Sequence, residues 1–135
     1  MQRRGFVTLT AAGLLTACVE TLPTGGTFGV RPGIGTNWIR DIQVAGSPGG
    51  AGFERTLRFA MLDAFASQLN MGGTGVVRVT VTTLDTTTGR IAGEVAYSEN
   101  GQPMGGFRVE ALAAPDRESM ARAFAAEAHR IATGA

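Results

Sequence analysis

Cys18 and His129 are the only thiol and the only imidazole in a chain of 135 residues. One cysteine cannot close an internal disulfide, and one Cys with one His cannot complete a Cys/His zinc site. His129 falls in the last turns of a helical run, where a cation suits the negative end of the helix dipole. Ser47, Ser67, Ser98 and Ser119 have no nucleophile motif around them. Asp63 is a lone carboxylate near an apolar face, a setting in which an acid usually pairs with an arginine. The Gly46–Gly52 run precedes a helix, whose free N–H groups could hold an anion. A phosphate loop, however, ends in Gly-Lys-Ser/Thr, and this chain has no lysine at all. Gly72-Gly73-Thr74-Gly75 precedes a strand instead of following one and is weaker still. No catalytic set, metal site or cofactor site emerges, so a non-catalytic protein is expected. Twelve arginines face eleven acids for a net charge of +1. Such a balance argues against nucleic-acid binding, which rests on a basic field.

The surroundings of Cys18 give that residue its chemistry. Arg3 and Arg4 form a short basic start. Gly5–Ala17 is an apolar run of 13 residues, well short of the roughly 20 that a membrane-spanning helix needs. It closes on Leu15-Thr16-Ala17-Cys18. Charge, apolar core and small residues in that order make residues 1–17 a targeting segment. The tetrapeptide resembles the lipobox of bacterial lipoproteins. That resemblance implies cleavage between Ala17 and Cys18, and acylation of the Cys18 thiol by palmitate-type chains. Two or more such chains anchor stably, at about 0.8 kcal/mol per buried CH₂. Arg3 and Arg4, followed by Phe6 and Val7, also resemble a twin-arginine export signal, which implies export in the folded state. Two arginines equally make an ordinary basic start, and both routes stay open. Val19 after the cysteine, in place of Asp, favours the outer over the inner membrane by resemblance to the sorting rule of enteric bacteria. The expected location is the periplasmic face of that membrane.

Cleavage before Cys18 leaves 118 residues, with 10 basic and 11 acidic side chains. Residues 18–36 read as the lipidated cysteine and a flexible tether. Val19–Thr36 holds five Gly, two Pro and four Thr, with no hydrophobic period. As a coil those residues span roughly 23 Å, with an extended limit near ~60 Å. The alternative is an added edge strand built on Phe28 and Val30.

Residues 37–135 read as one domain. Trp38–Ala45 is expected as a strand, with Ile42 and Val44 in one row and Trp38 and Arg40 sharing it. Phe53–Asn70 has helical spacing at Phe53, Leu57, Ala60, Met61, Ala64 and Phe65. Phe59, Leu62, Ala66 and Leu69 widen the apolar arc. Val76–Leu84 alternates Val77, Val79 and Val81 against Arg78, Thr80 and Thr82, as in a sheet with one face in water. Arg90–Ser98 and Gly106–Leu112 follow as strands, with Asn100-Gly101 as the hairpin signal between them. Pro115-Asp116 opens a helix reaching about Thr133, with Met120, Phe124, Ala128 and Ile131 as its buried stripe. The order is β-α-β-β-β-α. It predicts an α+β two-layer sandwich: a four-stranded mixed sheet with both helices on one face.

The polar row Arg78, Thr80, Thr82, Glu94, Arg108 and Glu110 is either a solvated face or a docking surface. Trp38 is either a core ring or an interface anchor. Candidate interface residues are therefore Trp38, Arg78 and Arg108. The lipobox, the Gly-rich tether and the element order together resemble small outer-membrane assembly lipoproteins, among them the lipopolysaccharide-assembly lipoproteins, which plug a barrel. Members of that family often continue Cys-Gly-Phe, whereas this chain continues Cys18-Val19-Glu20, so no site residue is carried over. What the resemblance implies is a membrane-anchored binding or assembly module with an envelope protein partner. The alternatives are a structural envelope lipoprotein without a specific client, or a lipopolysaccharide-assembly-type lipoprotein.

Overall fold

A computed structural model describes residues 38–134. The expected signal segment, Cys18 and the tether lie outside the described residues. The elements are β1 (Ile39–Val44), α1 (Gly50–Ala64), β2 (Gly75–Asp85), β3 (Arg90–Glu99), β4 (Gln102–Leu112) and α2 (Arg117–Thr133). They form one four-stranded sheet in the order β1-β2-β3-β4. β1 pairs with β2 in parallel, and the other two pairings are antiparallel. Both helices pack against the sheet, giving the α+β arrangement that the alternation of periods predicts.

The core follows from these periods. Val77, Val79 and Val81 of β2, Val95 of β3 and Phe107 and Val109 of β4 are buried on one face. Met120, Phe124, Ala128 and Ile131 of α2 meet them in the same cluster, as do Phe53, Leu57 and Met61 of α1. Burying each large side chain contributes about 1.5–3 kcal/mol. α2 is bounded by clear signals. Asp116 is its N-cap, accepting from the Ser119 N–H at 2.8 Å, and Gly134 is its left-handed C-cap. Pro115 thus stands before the cap and not inside the first turn. Between β3 and β4, Asn100 and Gly101 both have positive φ, at 53° and 82°. That is the requirement of the tight hairpin turn that Asn-Gly signals.

The sheet corrects three expectations. In β1 the pairing register shifts between Ile39 and Asp41, leaving Arg40 as the extra residue of a bulge. The bulge turns Arg40 out to solvent and Ile39 into the core, so no guanidinium shares the buried row. β2 has a second bulge between Val81 and Thr83, at Thr82, whose hydroxyl donates to the Ala92 carbonyl at 3.3 Å. The first helix ends at Ala64, and a single 3-10 turn over Ala66–Gln68 follows. Leu69 then bridges in parallel to Ile39, and the Asn70 N–H donates to the Ile39 carbonyl at 2.7 Å. This tertiary bond takes the chain out of helical geometry six residues before the turn that sequence periodicity picks. Phe59, placed by that periodicity on the apolar arc, is 60% exposed.

Candidate functional site

The open face of the sheet is built by the strand residues that alternate with the core row. Arg78 on β2 donates to Gln43 Oε1 on β1 at 3.2 Å. On β4, Arg108 contacts Glu110 at 3.2 Å, and Arg90 of β3 reaches the same carboxylate at 3.6 Å. Glu94 lies opposite both Thr80 and Arg108 in the ladders. Arg78 and Arg108 thus occupy the same face, but β3 separates their strands by two spacings, roughly 10 Å. Next to the β3–β4 turn is a shallow hollow of about 360 Å³ lined by Val76, Arg78, Ala96, Ser98 and Pro103, which Arg108 does not line. Both arginines are at least partly exposed. The exposed bond of Arg78 to the Gln43 amide and the ion pair of Arg108 are worth little in water and can be exchanged for a partner's carboxylates.

Trp38, the third candidate, is not brought to them. It packs edge-on against Tyr97, a core-facing residue of β3, with ring centroids 5.2 Å apart at 74°. The ring also lies over Gly75, where a Cβ would come within 2.3 Å of it. Trp38 is half-buried.

Two features were not visible in the sequence. The first is a groove of about 510 Å³ on the outer side of the helix layer, between α1 and α2. Phe59, Ala60 and Ala121 line its floor, with Asp63 and Arg122 at the rim. Asp63 is exposed there. The second is the free edge of β1. The Asp41 carboxylate accepts from the Ile42 N–H at 2.8 Å and pairs with Arg58 at 3.1 Å. Arg58 of α1 also donates through Nε to the Ile42 carbonyl at 2.9 Å. Two backbone groups that could recruit another strand are thereby satisfied. Partial burial raises the Asp41 pKa, but hydrogen bonds from Arg58, Gln43 and Ile42 outweigh it and hold the carboxyl below its ordinary value. The spacing of Asp41 and Arg58 carries no signal of this pairing, since it depends on how α1 crosses the strand.

The Gly46–Gly52 loop does not make an anion site. The Glu54 carboxylate accepts from the Ser47 N–H at 3.0 Å, and Ser47 Oγ accepts from the Gly49 N–H at 3.2 Å. A carboxylate already sits at the loop, where it would repel a phosphate. His129 lies edge-on to Phe65 at 5.0 Å, with Nε2 buried and unpartnered. Among the described residues, no group of three or more His, Cys, Asp or Glu is placed to hold a metal. Nor is any described helix long and apolar enough to cross a membrane.

No family model matches the chain, and no curated protein matches it. Among solved structures it is similar to a chain described as a "putative lipoprotein" from Caulobacter crescentus, at 18% identity and a TM-score of 0.44. That match covers 68% of this chain and 82% of the other. It is also similar to a PelC dodecamer from Paraburkholderia phytofirmans, at 9% identity and a TM-score of 0.49, covering 83% of this chain and 91% of that one. Both are partial likenesses of arrangement.

Proposed function

We propose that this chain is a lipid-anchored, non-catalytic binding or assembly module on the periplasmic face of a bacterial membrane, with the outer membrane favoured. The observation that carries the reading is the sequence Leu15-Thr16-Ala17-Cys18 at the end of a basic-then-apolar start, directly before a Gly/Pro/Thr-rich tether. The domain beyond the tether has a closed apolar core and an open polar sheet face. Arg78 and Arg108 on that face are the residues expected to meet an envelope protein partner. They are at least partly exposed, held by exchangeable contacts, and lie on strands fixed from both sides or from below by the core.

The test uses the full chain expressed in a bacterial envelope. The wild type should incorporate labelled palmitate, and Cys18→Ala should not. Label entering the Cys18→Ala variant overturns the anchor. In-cell crosslinking followed by mild detergent extraction should recover a specific partner, and Arg78→Glu with Arg108→Glu should reduce that recovery. Recovery of the monomer alone would overturn the binding role and leave a structural lipoprotein without a client. Exchanging Arg3 and Arg4 for Lys should block export only if the twin-arginine route is used.

A further inference from the structure

The sheet has two ends, and the connecting segments at one of them carry no charged side chain. At one end lie the start of β1, the 70–74 segment that leads into β2, and the β3–β4 turn. Backbone bonds tie these segments together. The Gly75 N–H donates to the Trp38 carbonyl at 3.0 Å, and the Asn100 N–H donates to the Thr74 carbonyl at 3.4 Å. From Ala64 to Val77 there is no Asp, Glu, Lys or Arg, and from Asn100 to Phe107 there is none either. Glu99, beside the turn, has its carboxylate taken by the Thr74 hydroxyl at 2.7 Å, and the charges that border this end include Arg40 on β1 and the Glu127–Arg130 pair in the last turns of α2. At the other end lie the 45–49 loop, the 86–89 turn and both helix N-termini. Glu54, Asp85, Arg90, Asp116, Arg117 and Glu118 cluster there.

This end is also where the described chain enters the fold, at Trp38. Met71 stands there on a tight turn and is 92% exposed, the most exposed of the large apolar side chains described. The turn already satisfies its own polar groups. Asn70 Oδ1 accepts from the Gly72 N–H at 2.9 Å, and the Asn70 carbonyl accepts from the Gly73 N–H at 2.8 Å. A turn closed in this way can leave bulk water without stranding those N–H groups, the main obstacle to placing backbone in an apolar layer. Trp38, half-buried at the same end, is of the residue type that favours the membrane–water boundary.

We propose that the 70–73 turn, with Met71 at its tip, rests in the headgroup layer of the bilayer that holds the Cys18 lipid. The occupant of this end is thus a lipid surface. The proposal rests on the anchoring put forward above. It goes further by fixing orientation: the domain stands end-on, with the 86–89 turn outward and the open sheet face turned to the side. The tether is long enough for the domain to leave the surface, so contact at Met71 is a property of the domain's own end and not forced by the anchor.

The lipidated full-length protein provides the test. Acylation blocks Cys18, the only native thiol, so Met71→Cys and Leu112→Cys each add one labelling site. Leu112 is 74% exposed at the opposite end and serves as the comparison. Each variant is labelled with an environment-sensitive dye and reconstituted in phosphatidylethanolamine/phosphatidylglycerol vesicles with brominated acyl chains. Intact mass and flotation report the anchor independently. With lipid mass present, the dye at 71 should shift to the blue and be quenched several-fold more than the dye at 112. Equal quenching at both positions, or none at either, in protein that floats would overturn the proposal while leaving the anchor intact. Protein that lacks the lipid mass and does not float would overturn the anchor, and the orientation with it.

Discussion

Gly75→Ala would set a methyl group against the six-membered ring of Trp38, at 2.3–2.5 Å from Cζ3, Cε3 and Cη2. Real side chains do not approach so closely, so the indole must move off its seat on Tyr97. Forcing a methyl into a packed site costs about 1–3 kcal/mol. Losing the edge-on aromatic pair adds about 0.5–1.5 kcal/mol. Replacing a strand glycine returns about 0.5–1 kcal/mol through the unfolded state. The net expectation is a destabilisation of about 2–3 kcal/mol. With a urea dependence of about 1–3 kcal/mol per molar, that lowers the unfolding midpoint by roughly 0.7–3 M. The assay is urea denaturation of the unlipidated Cys18→Ser chain. Trp38 is the only tryptophan, so its emission reports the displaced ring directly. A red shift of the folded-state emission should accompany the loss of stability. Gly72→Ala is the control, because its Cβ would meet only Asn70 Oδ1 at an ordinary 3.5 Å. A double-mutant cycle with Trp38→Leu, followed by circular dichroism, isolates the cause. In that background Gly75→Ala should cost at least ~1 kcal/mol less. Full additivity, or an unchanged midpoint with unchanged emission, would refute the steric account.

Arg58→Ala should remove both the bond to the Ile42 carbonyl and the Asp41 pair, costing about 1 kcal/mol once solvent screening is allowed for. NMR titration should then show the Asp41 carboxyl rising toward its ordinary 3.8, and an unmoved Asp41 would contradict the edge lock. Asp116 has its pKa held down chiefly by the Ser119 N–H it caps. Its stabilising contribution is therefore present above the ordinary value of 3.8 and lost as pH falls through the depressed one. Asp116→Ala should lower the thermal midpoint at neutral pH and converge with the parent in acid, whereas a constant difference across pH would contradict the cap. Phe124→Ala should cost about 3–5 kcal/mol, because the ring is fully buried between α2 and the sheet, while Phe59→Ala should stay within about 0.5 kcal/mol. Comparable losses in the two would show that the helix faces are wrongly assigned.

The strands, helices and their order were legible because each carries its own period. The Val77-Val79-Val81 alternation and the Met120-Phe124-Ala128-Ile131 stripe each have one way to bury their apolar side. The Asn100-Gly101 turn was legible for a local reason, since few residue pairs accept two positive φ angles. Arg78 and Arg108 were placed on the outer face by the same alternation that placed their neighbours inside. What sequence could not supply was any feature that depends on a partner element. The bulge at Arg40 exists because β1 must bury Ile39 as well as Ile42 against β2 and the helices. The early end of α1 goes with a pairing of Leu69 and Asn70 to Ile39, 31 residues before Asn70 in the chain.

The sequence alone determined the Leu15-Thr16-Ala17-Cys18 run that resembles a lipobox, a composition with one thiol, one imidazole and no lysine, and the β-α-β-β-β-α order. Each of these is a property of residue type or of a repeat along the chain. Only the tertiary structure decided that Phe59 faces water, that Trp38 sits on Gly75, and that Arg58 closes the β1 edge. These are distances between segments far apart in the chain. A side chain's type fixes what it can do, but packing fixes what stands beside it.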